Sequence, residues 1–169
     1  SEGGFNFFEI GFRSDTLSFP PKSEFGMWAY CTDDIARKLR ESVPDGCDLA
    51  VMVRLGSFSA NDFVEASSSP VKLIRVLFPL LDEGGKSIFS KAVFLSCRDE
   101  CRKLKNKGYV VSLNLACCEQ LSWESYESIC DMVVDVKAEM SSEHHITFAR
   151  ACIDLLYLAD TYGALPSDE

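Results

Sequence analysis

The chain has 169 residues, a formal net charge of -9 and 47% hydrophobic residues. This length fits one domain with a buried core, and the acidic balance excludes nucleic acid as an expected partner, because such partners select basic patches. No apolar run approaches the roughly 20 uncharged residues of a membrane helix, and no basic segment followed by an apolar one opens the sequence, so neither a membrane partner nor a signal peptide is predicted.

Five apolar runs, rich in β-branched and aromatic residues, predict five strands. They cover residues 5–13, 48–55, 71–78, 109–115 and 154–161. Their apolar character is nearly continuous, which is typical of parallel strands covered on both faces.

The segments between these strands carry helix signals. Thr32 is a predicted N-cap followed by acidic residues, and residues 59–69 predict a shorter helix. A basic last turn before Gly108 predicts the end of a third helix, and Ser122 is the predicted cap of a fourth. Residues 141–153 supply a last helical turn before the fifth strand.

The alternation of strands and helices, at spacings of roughly 25 to 45 residues, indicates βαβ units and a parallel sheet. No linker or low-complexity tract divides residues 1–169, so a single domain is predicted. Two architectures satisfy this pattern: an open doubly wound sheet and part of a (β/α)8 barrel. The dinucleotide signature G-x-G-x-x-G of many doubly wound sheets is missing.

Polar residues inside the strands favour the barrel. By the strand period of two, Glu9, Gly11 and Arg13 share one face of the first strand. The same pattern recurs at Arg75, Ser112, Asn114 and Asp160. In a barrel such residues converge at the C-terminal mouth, where barrel enzymes place their chemistry. The sequence therefore predicts an α/β fold, part of a (β/α)8 TIM barrel with about five parallel strands.

The cysteines and histidines do not predict a metal site. The eight cysteines are scattered through apolar or helical segments, which predicts reduced, mostly buried thiols and, with the missing signal peptide, a cytoplasmic location. Cys97 and Cys101 are four residues apart, but zinc needs two further ligands and no second pair has suitable spacing. His144 and His145 are neighbours that diverge on any regular element, so exposed positions are predicted for them.

Six stretches, in order, carry a resemblance to a known family. They are FFEIGFRSD, WAYCTDDIARKL, LAVMVRL, LIRVLF, KNKGYVVSLNLACCEQLSWE and LLYLADTYGALPSDE. Together they resemble the middle of the barrel, from the second strand to just past the sixth, in the HMG-CoA lyase-like superfamily of DRE-type metallolyases. The likeness is greatest to the 4-hydroxy-2-oxovalerate aldolase-like members. It implies a TIM barrel that acts on pyruvate or a related 2-oxo acid through an enolate.

The resemblance also implies a divalent metal, magnesium, manganese or zinc, as the cofactor of the complete parent protein. Family members bind it through an acid on the first strand and a His-x-His pair on the seventh, and neither motif occurs in these residues. This chain alone is therefore expected to bind no metal and to be inactive.

Arg75, Ser112 and Asn114 are the candidate substrate-binding residues inside the barrel. Arg75 is suited to hold a substrate carboxylate through paired N–H donors, or alternatively to form an internal ion pair with Glu9. Ser112 and Asn114 are candidates for hydrogen bonds to a substrate oxygen, or for polar packing within a barrel layer.

Asp160, Thr161 and Arg13 complete the candidate substrate-binding set. Asp160 and Thr161 match the strand-six motif of the family and lie nearest the expected site. Arg13 is expected to join them, or to be an ordinary solvated arginine at the rim.

Three functions remain open from sequence. The chain is the central portion of a metal-dependent carbon–carbon lyase or synthase, a catalytically inactive relative that serves as a binding or assembly module, or a small open-sheet domain that binds an anionic metabolite. A five-strand section also leaves two apolar edge strands, 5–13 and 154–161, which predicts self-association edge to edge.

Overall fold

A computed structural model describes residues 6–13, 26–79, 91–125, 127, 129 and 152–159. Five strands lie in these ranges: β1 (Phe7–Phe12), β2 (Asp48–Arg54), β3 (Val71–Pro79), β4 (Val110–Ala116) and β5 (Leu155–Ala159). The two α-helices described are α1 (Asp33–Arg40) and α2 (Lys91–Asn106). All five predicted strands are present, and each described strand end lies within two residues of its predicted position.

The five strands form one sheet in the order β1-β2-β3-β4-β5, and all four neighbouring pairs are parallel. A doubly wound sheet reverses its strand order at a central switch point. A barrel instead adds each new strand beside the previous one. The observed order is therefore that of a barrel section, as predicted, and it argues against the doubly wound alternative.

Helix α1 begins at the predicted cap. The hydroxyl of Thr32 accepts a hydrogen bond from the Ile35 N–H at 3.4 Å, which satisfies a backbone donor left free at the helix start. Asp33 and Asp34 lie in the first turn, and basic residues occupy the last turn. The acidic and the basic side chains both interact favourably with the helix dipole and so stabilise the helix.

Helix α2 also ends where the sequence predicts. Lys103 and Lys105 lie in its last turn, and the Gly108 N–H donates to the Lys105 carbonyl at 2.8 Å. Its buried side chains follow helical spacing, which gives the helix one apolar stripe. These residues are Phe94, Cys97, Cys101 and Leu104.

The hydrophobic core lies between this stripe and one face of the sheet. Alternate residues of the central strands are fully or almost fully buried there, as the period of two requires. The strand residues are Leu49, Val51, Val53, Ile74, Val76, Phe78, Val111, Leu113 and Leu115. Phe78 of β3 packs on Phe94 of α2 with ring centroids 5.8 Å apart. We call this side of the sheet the core face.

The helix predicted over 59–69 is only one 3-10 turn, Ala60–Asp62. Ser59 and Asp62 form a reciprocal capping box that completes this turn. The next residue, Phe63, then adopts extended backbone and packs edge-on against Tyr109, with centroids 5.9 Å apart. Burial of this ring therefore ends the helix after one turn.

The remaining predicted elements are only partly described. The Ser122 hydroxyl accepts from the Ser125 N–H at 3.3 Å, so Ser122 caps a helical turn as predicted. His144, His145 and the predicted helical turn over 141–153 lie outside the described residues, except for 152 and 153. Neither described helix is long and apolar enough to cross a membrane.

The seven described cysteines are not in disulfides, and six of them are buried. The Sγ atoms of Cys97 and Cys101 lie 4.0 Å apart on α2. Burial raises the pKa of the Cys152 thiol to about 11, which keeps it protonated at neutral pH. These thiols act as small apolar side chains of the core.

Candidate binding site

The side of the sheet opposite the core face carries several polar side chains and one tyrosine. Strand register aligns Arg75 with Ser112 across β3 and β4, and Asn114 with Tyr157 across β4 and β5. Glu9 of β1 joins them through Arg75. We call Glu9, Arg75, Ser112, Asn114 and Tyr157 the polar face.

Arg75 and Glu9 form an ion pair at the centre of the polar face. Nη2 of Arg75 donates to Oε1 of Glu9 at 2.8 Å. Nε of Arg75 lies 2.8 Å from Oε2, but without hydrogen-bond geometry. The two side chains are 26% and 31% exposed, so the pair is accessible from solvent. The predicted alternative for Arg75, an ion pair with Glu9, is confirmed.

Arg75 also contacts the opposite edge of the sheet. Its guanidinium carbon lies 5.6 Å from the ring centroid of Tyr157 on β5. In a flat sheet, β1 and β5 would each lie roughly 10 Å from β3. One side chain on β3 touches both of them, which indicates that the polar face is concave, as on the inside of a barrel.

Ser112 and Asn114 lie beside Arg75 and are 4% and 6% exposed. The side-chain oxygen of Asn114 is buried and has no hydrogen-bond partner in the part of the chain that the structure describes. An unpaired buried carbonyl oxygen costs about 1–3 kcal/mol unless a donor reaches it. Asn114 is thus suited to accept a hydrogen bond from a ligand.

The charge on Glu9 is tuned by two opposing effects. Burial raises the pKa of the Glu9 carboxyl above its ordinary value, although the neighbouring Arg75 acts to lower it. Glu9 therefore holds its proton to higher pH than a solvated glutamate does.

Arg13 does not join the polar face. Its Nη2 donates to Oδ1 of Asp33 at 2.6 Å, and its Nε donates to the Cys31 carbonyl at 2.7 Å. Its guanidinium lies over the ring of Phe63, which belongs to the core cluster. The expectations that Arg13 shares a face with Glu9, or is solvated at the rim, are wrong: Arg13 and Glu9 lie on opposite sides of the sheet. That Arg13 joins Asp160 and Thr161 stays a prediction, because those two residues lie outside the described ranges.

A bulge in β1 explains this separation. Glu9 pairs with Ala50, but Phe12, rather than Gly11, pairs with Met52. One extra residue in β1 moves everything after it to the other face. Arg13 consequently follows the core-facing alternation, while Glu9 keeps the opposite one.

Two predicted site residues lie outside the described ranges, and two residues of the polar face were not predicted as site residues. Asp160 and Thr161 directly follow β5 but lie outside the described residues. Tyr157 was missed because an aromatic residue in an apolar run predicts packing. Glu9 was predicted as an ion-pair partner of Arg75 and not as a site residue, although a carboxylate in an otherwise apolar strand indicates a candidate site.

A cavity of 350 Å³ lies between the segment 55–59 and helix α2, away from the polar face. Its lining includes Leu55, Phe58, Val93 and Glu100. Glu100 already accepts from the Ala60 N–H at 2.7 Å and from Lys103 at 2.5 Å. Although burial alone would raise it, these two bonds hold the pKa of Glu100 below its ordinary value. Its carboxylate serves to join the 59–62 turn to α2.

The polar face does not fit a divalent metal. Its one carboxylate, Glu9, is occupied by a guanidinium, and the side chains of Ser112 and Asn114 are neutral. Within the described ranges, no three His, Cys, Asp or Glu side chains are grouped to hold a metal ion. Hard cations prefer several carboxylate oxygens, which the polar face does not offer.

No protein-family model and no curated protein sequence matches the chain. Among solved structures, the chain is similar to the "N-terminal domain of a putative aldolase from Bacteroides vulgatus", with 15% sequence identity and a TM-score of 0.60. The match covers 95% of this chain and 44% of that one, so this chain spans less than half of the aldolase structure. The strand order and this likeness together confirm the predicted fold: the chain is a section of a TIM barrel.

Proposed function

We propose that the chain is the central portion of a carbon–carbon lyase, aldolase or synthase that acts on pyruvate or a related 2-oxo acid through an enolate. The observation that carries the proposal is Arg75, a partly exposed cation on a concave face. The likeness to an aldolase domain and the sequence resemblance to the HMG-CoA lyase-like superfamily support it.

Each polar residue has a role in this proposal. Arg75 binds the substrate carboxylate through its N–H groups, and the Tyr157 ring supports the guanidinium from the side. The Ser112 hydroxyl and the Asn114 NH2 group donate hydrogen bonds to substrate oxygens, whereas the unpaired Asn114 Oδ1 can only accept, from a hydroxyl of a related 2-oxo acid. Asp160 and Thr161 remain candidates at the end of β5.

The proposal assigns a divalent metal, magnesium, manganese or zinc, to the complete parent protein, with ligands outside the described residues. When bound, such a metal supplies Lewis-acid stabilisation of an enolate. The polar face of this chain supplies carboxylate binding and orientation.

Replacing Arg75 by methionine is expected to weaken pyruvate binding by about 10- to 100-fold, because a hydrogen bond to a charged group contributes about 1.5–3 kcal/mol. Calorimetric titration of the chain with pyruvate measures this. Arg37→Met is the matched control, because Arg37 is exposed on α1. Equal affinity for pyruvate in all three proteins would contradict the proposal.

A second candidate function, an assembly module, is favoured by the exposed edge strand β5. Four consecutive large side chains of β5 are 38–52% exposed: Leu155, Leu156, Tyr157 and Leu158. An exposed apolar edge strand is a template for pairing with another chain. We propose that the chain self-associates through its open sheet edges.

Lysine at the β5 edge is expected to reduce this self-association, because edge lysines oppose strand pairing. Leu155→Lys and Leu158→Lys should each shift sedimentation velocity profiles toward the monomer at high concentration. Val64→Lys is the control, since Val64 is an exposed apolar residue away from the strands. A wild-type chain that sediments as a monomer at every concentration would contradict the proposal.

A further inference from the structure

We propose that Glu9 is a built-in competitor for Arg75: a ligand carboxylate displaces Glu9 from the guanidinium, and the displaced Glu9 takes one proton from solvent. The inference rests on the proposed function, which supplies the carboxylate ligand. It adds a proton-coupled step to binding and names the residue responsible for it.

The geometry shows that Glu9 occupies Arg75 without saturating it. One hydrogen bond, from Nη2 to Oε1, joins the pair. The Nε atom is buried and makes no hydrogen bond in the described structure, although Oε2 is 2.8 Å away. A bidentate pair would align two parallel N–H groups with both oxygens. A free carboxylate, which can orient itself, is able to use both donors.

Glu9 holds the guanidinium edge on which a ligand carboxylate could use Nε and Nη2 together. The Tyr157 ring lies on one side of it, at 5.6 Å, and Glu9 occupies the Nε and Nη2 edge. Two carboxylates around one cation also repel each other across a partly buried space. In the proposal, a ligand that takes the Nε and Nη2 donors leaves Glu9 without its hydrogen bond to Arg75.

Glu9 then has no other cation close to it among the described residues of the polar face. The neighbouring strands contribute Met52, Ser112 and Asn114, which carry no charge. The remaining titratable or charged groups on this side are exposed Asp48 and Arg54, at the two ends of β2, and Tyr157 on β5.

Loss of Arg75 removes the two contributions that oppose burial, its charge and its hydrogen bond to Glu9. Burial already raises the pKa of Glu9 in the unliganded chain, with Arg75 acting to lower it. In the complex, the pKa of Glu9 rises further. One proton moves from solvent to the Glu9 carboxylate, while the ligand keeps its negative charge. Between the two pKa values, affinity falls about tenfold for each unit rise in pH.

The test is calorimetric titration of the full chain with pyruvate, repeated in buffers of different ionisation enthalpy and across pH. The dependence of the binding heat on the ionisation enthalpy of the buffer gives the number of protons taken up on binding. The wild-type chain is expected to take up as much as about one proton per pyruvate, most strongly between the free and bound pKa values of Glu9. Glu9→Gln is expected to bind pyruvate without proton uptake and with weaker pH dependence.

Asp48→Asn is the matched control, because it removes an exposed carboxylate from the neighbouring strand and should leave proton uptake unchanged. Binding of pyruvate by the wild-type chain with no proton uptake at any pH would overturn the role of Glu9 and leave the proposed function standing. Proton uptake that persists in Glu9→Gln would overturn it as well. Absence of pyruvate binding in both proteins would overturn both proposals.

Discussion

Replacing Gly11 by alanine is expected to destabilise the fold by about 3 kcal/mol or more, through backbone strain and overpacking together. Gly11 has a φ of +132°, which side chains rarely adopt. A Cβ atom built there would lie 2.3 Å from the Trp28 carbonyl oxygen and 3.1 Å from the Cys31 Sγ. The first contact is with backbone, so no side-chain rotation relieves it.

The clash falls where the β1 bulge packs against the next segment of chain. Trp28 belongs to the 3-10 turn Met27–Ala29, and the Cys31 N–H donates to the Phe12 carbonyl at 2.8 Å. Moving this turn away from Gly11 would break that bond. The effect of the added methyl group therefore extends to the connection between β1 and α1.

Chemical denaturation of Gly11→Ala measures the loss, and Gly46→Ala separates its two causes. Gly46 also has a positive φ, of +81°, but no atom lies within 4 Å of a Cβ built there. Gly46→Ala should therefore cost only the backbone strain, about 1 kcal/mol. Equal losses of stability in the two variants would show that the contact with Trp28 has no effect.

Gly11 also explains how far the site could be predicted from sequence. Arg75, Ser112 and Asn114 share one face because β3 and β4 pair without interruption over their length. The period of two is sufficient for such strands. It fails for Arg13, because the bulge lies between Glu9 and Phe12. Glycine inside a strand often marks a bulge, so the signal was present.

The contacts of Arg75 depend on sheet curvature, which sequence patterns do not give. Glu9 and Tyr157 lie on β1 and β5, two strands away from β3 on either side. Local periodicity predicts which segments are strands and which side of the sheet each side chain faces. Whether one side chain on β3 contacts both β1 and β5 depends on how the whole sheet bends. The fold class was predictable from alternation, and the Arg75–Glu9 pair was one of two predicted alternatives, whereas the contact of Arg75 with Tyr157 was not predicted.

Replacing Arg13 by methionine is expected to destabilise the fold by about 3 kcal/mol, because it leaves a largely buried carboxylate without its cation. Arg13 and Asp33 are 15% and 19% exposed. The Ser69 hydroxyl, at 3.0 Å, would remain as a donor to Asp33. A neutral donor compensates a buried charge only in part.

Arg37→Met is the control for this prediction. Arg37 pairs with Asp34 at 2.7 Å, but both side chains are exposed, so its loss should cost no more than about 0.5 kcal/mol. Adding Asp33→Asn to Arg13→Met should restore part of the stability, since it removes the unpaired charge. Unchanged stability in Arg13→Met would contradict the assignment of Arg13 to the core face.

Pyruvate binding separates the two arginines. The folded fraction of Arg13→Met is expected to bind pyruvate with wild-type affinity, because Arg13 contacts Asp33 and Phe63 and not the polar face. Arg75→Met is expected to keep most of its stability, because its partly exposed ion pair contributes at most about 1 kcal/mol, and to lose affinity. The same substitution, made on either side of one sheet, would thus assign stability to one face and ligand binding to the other.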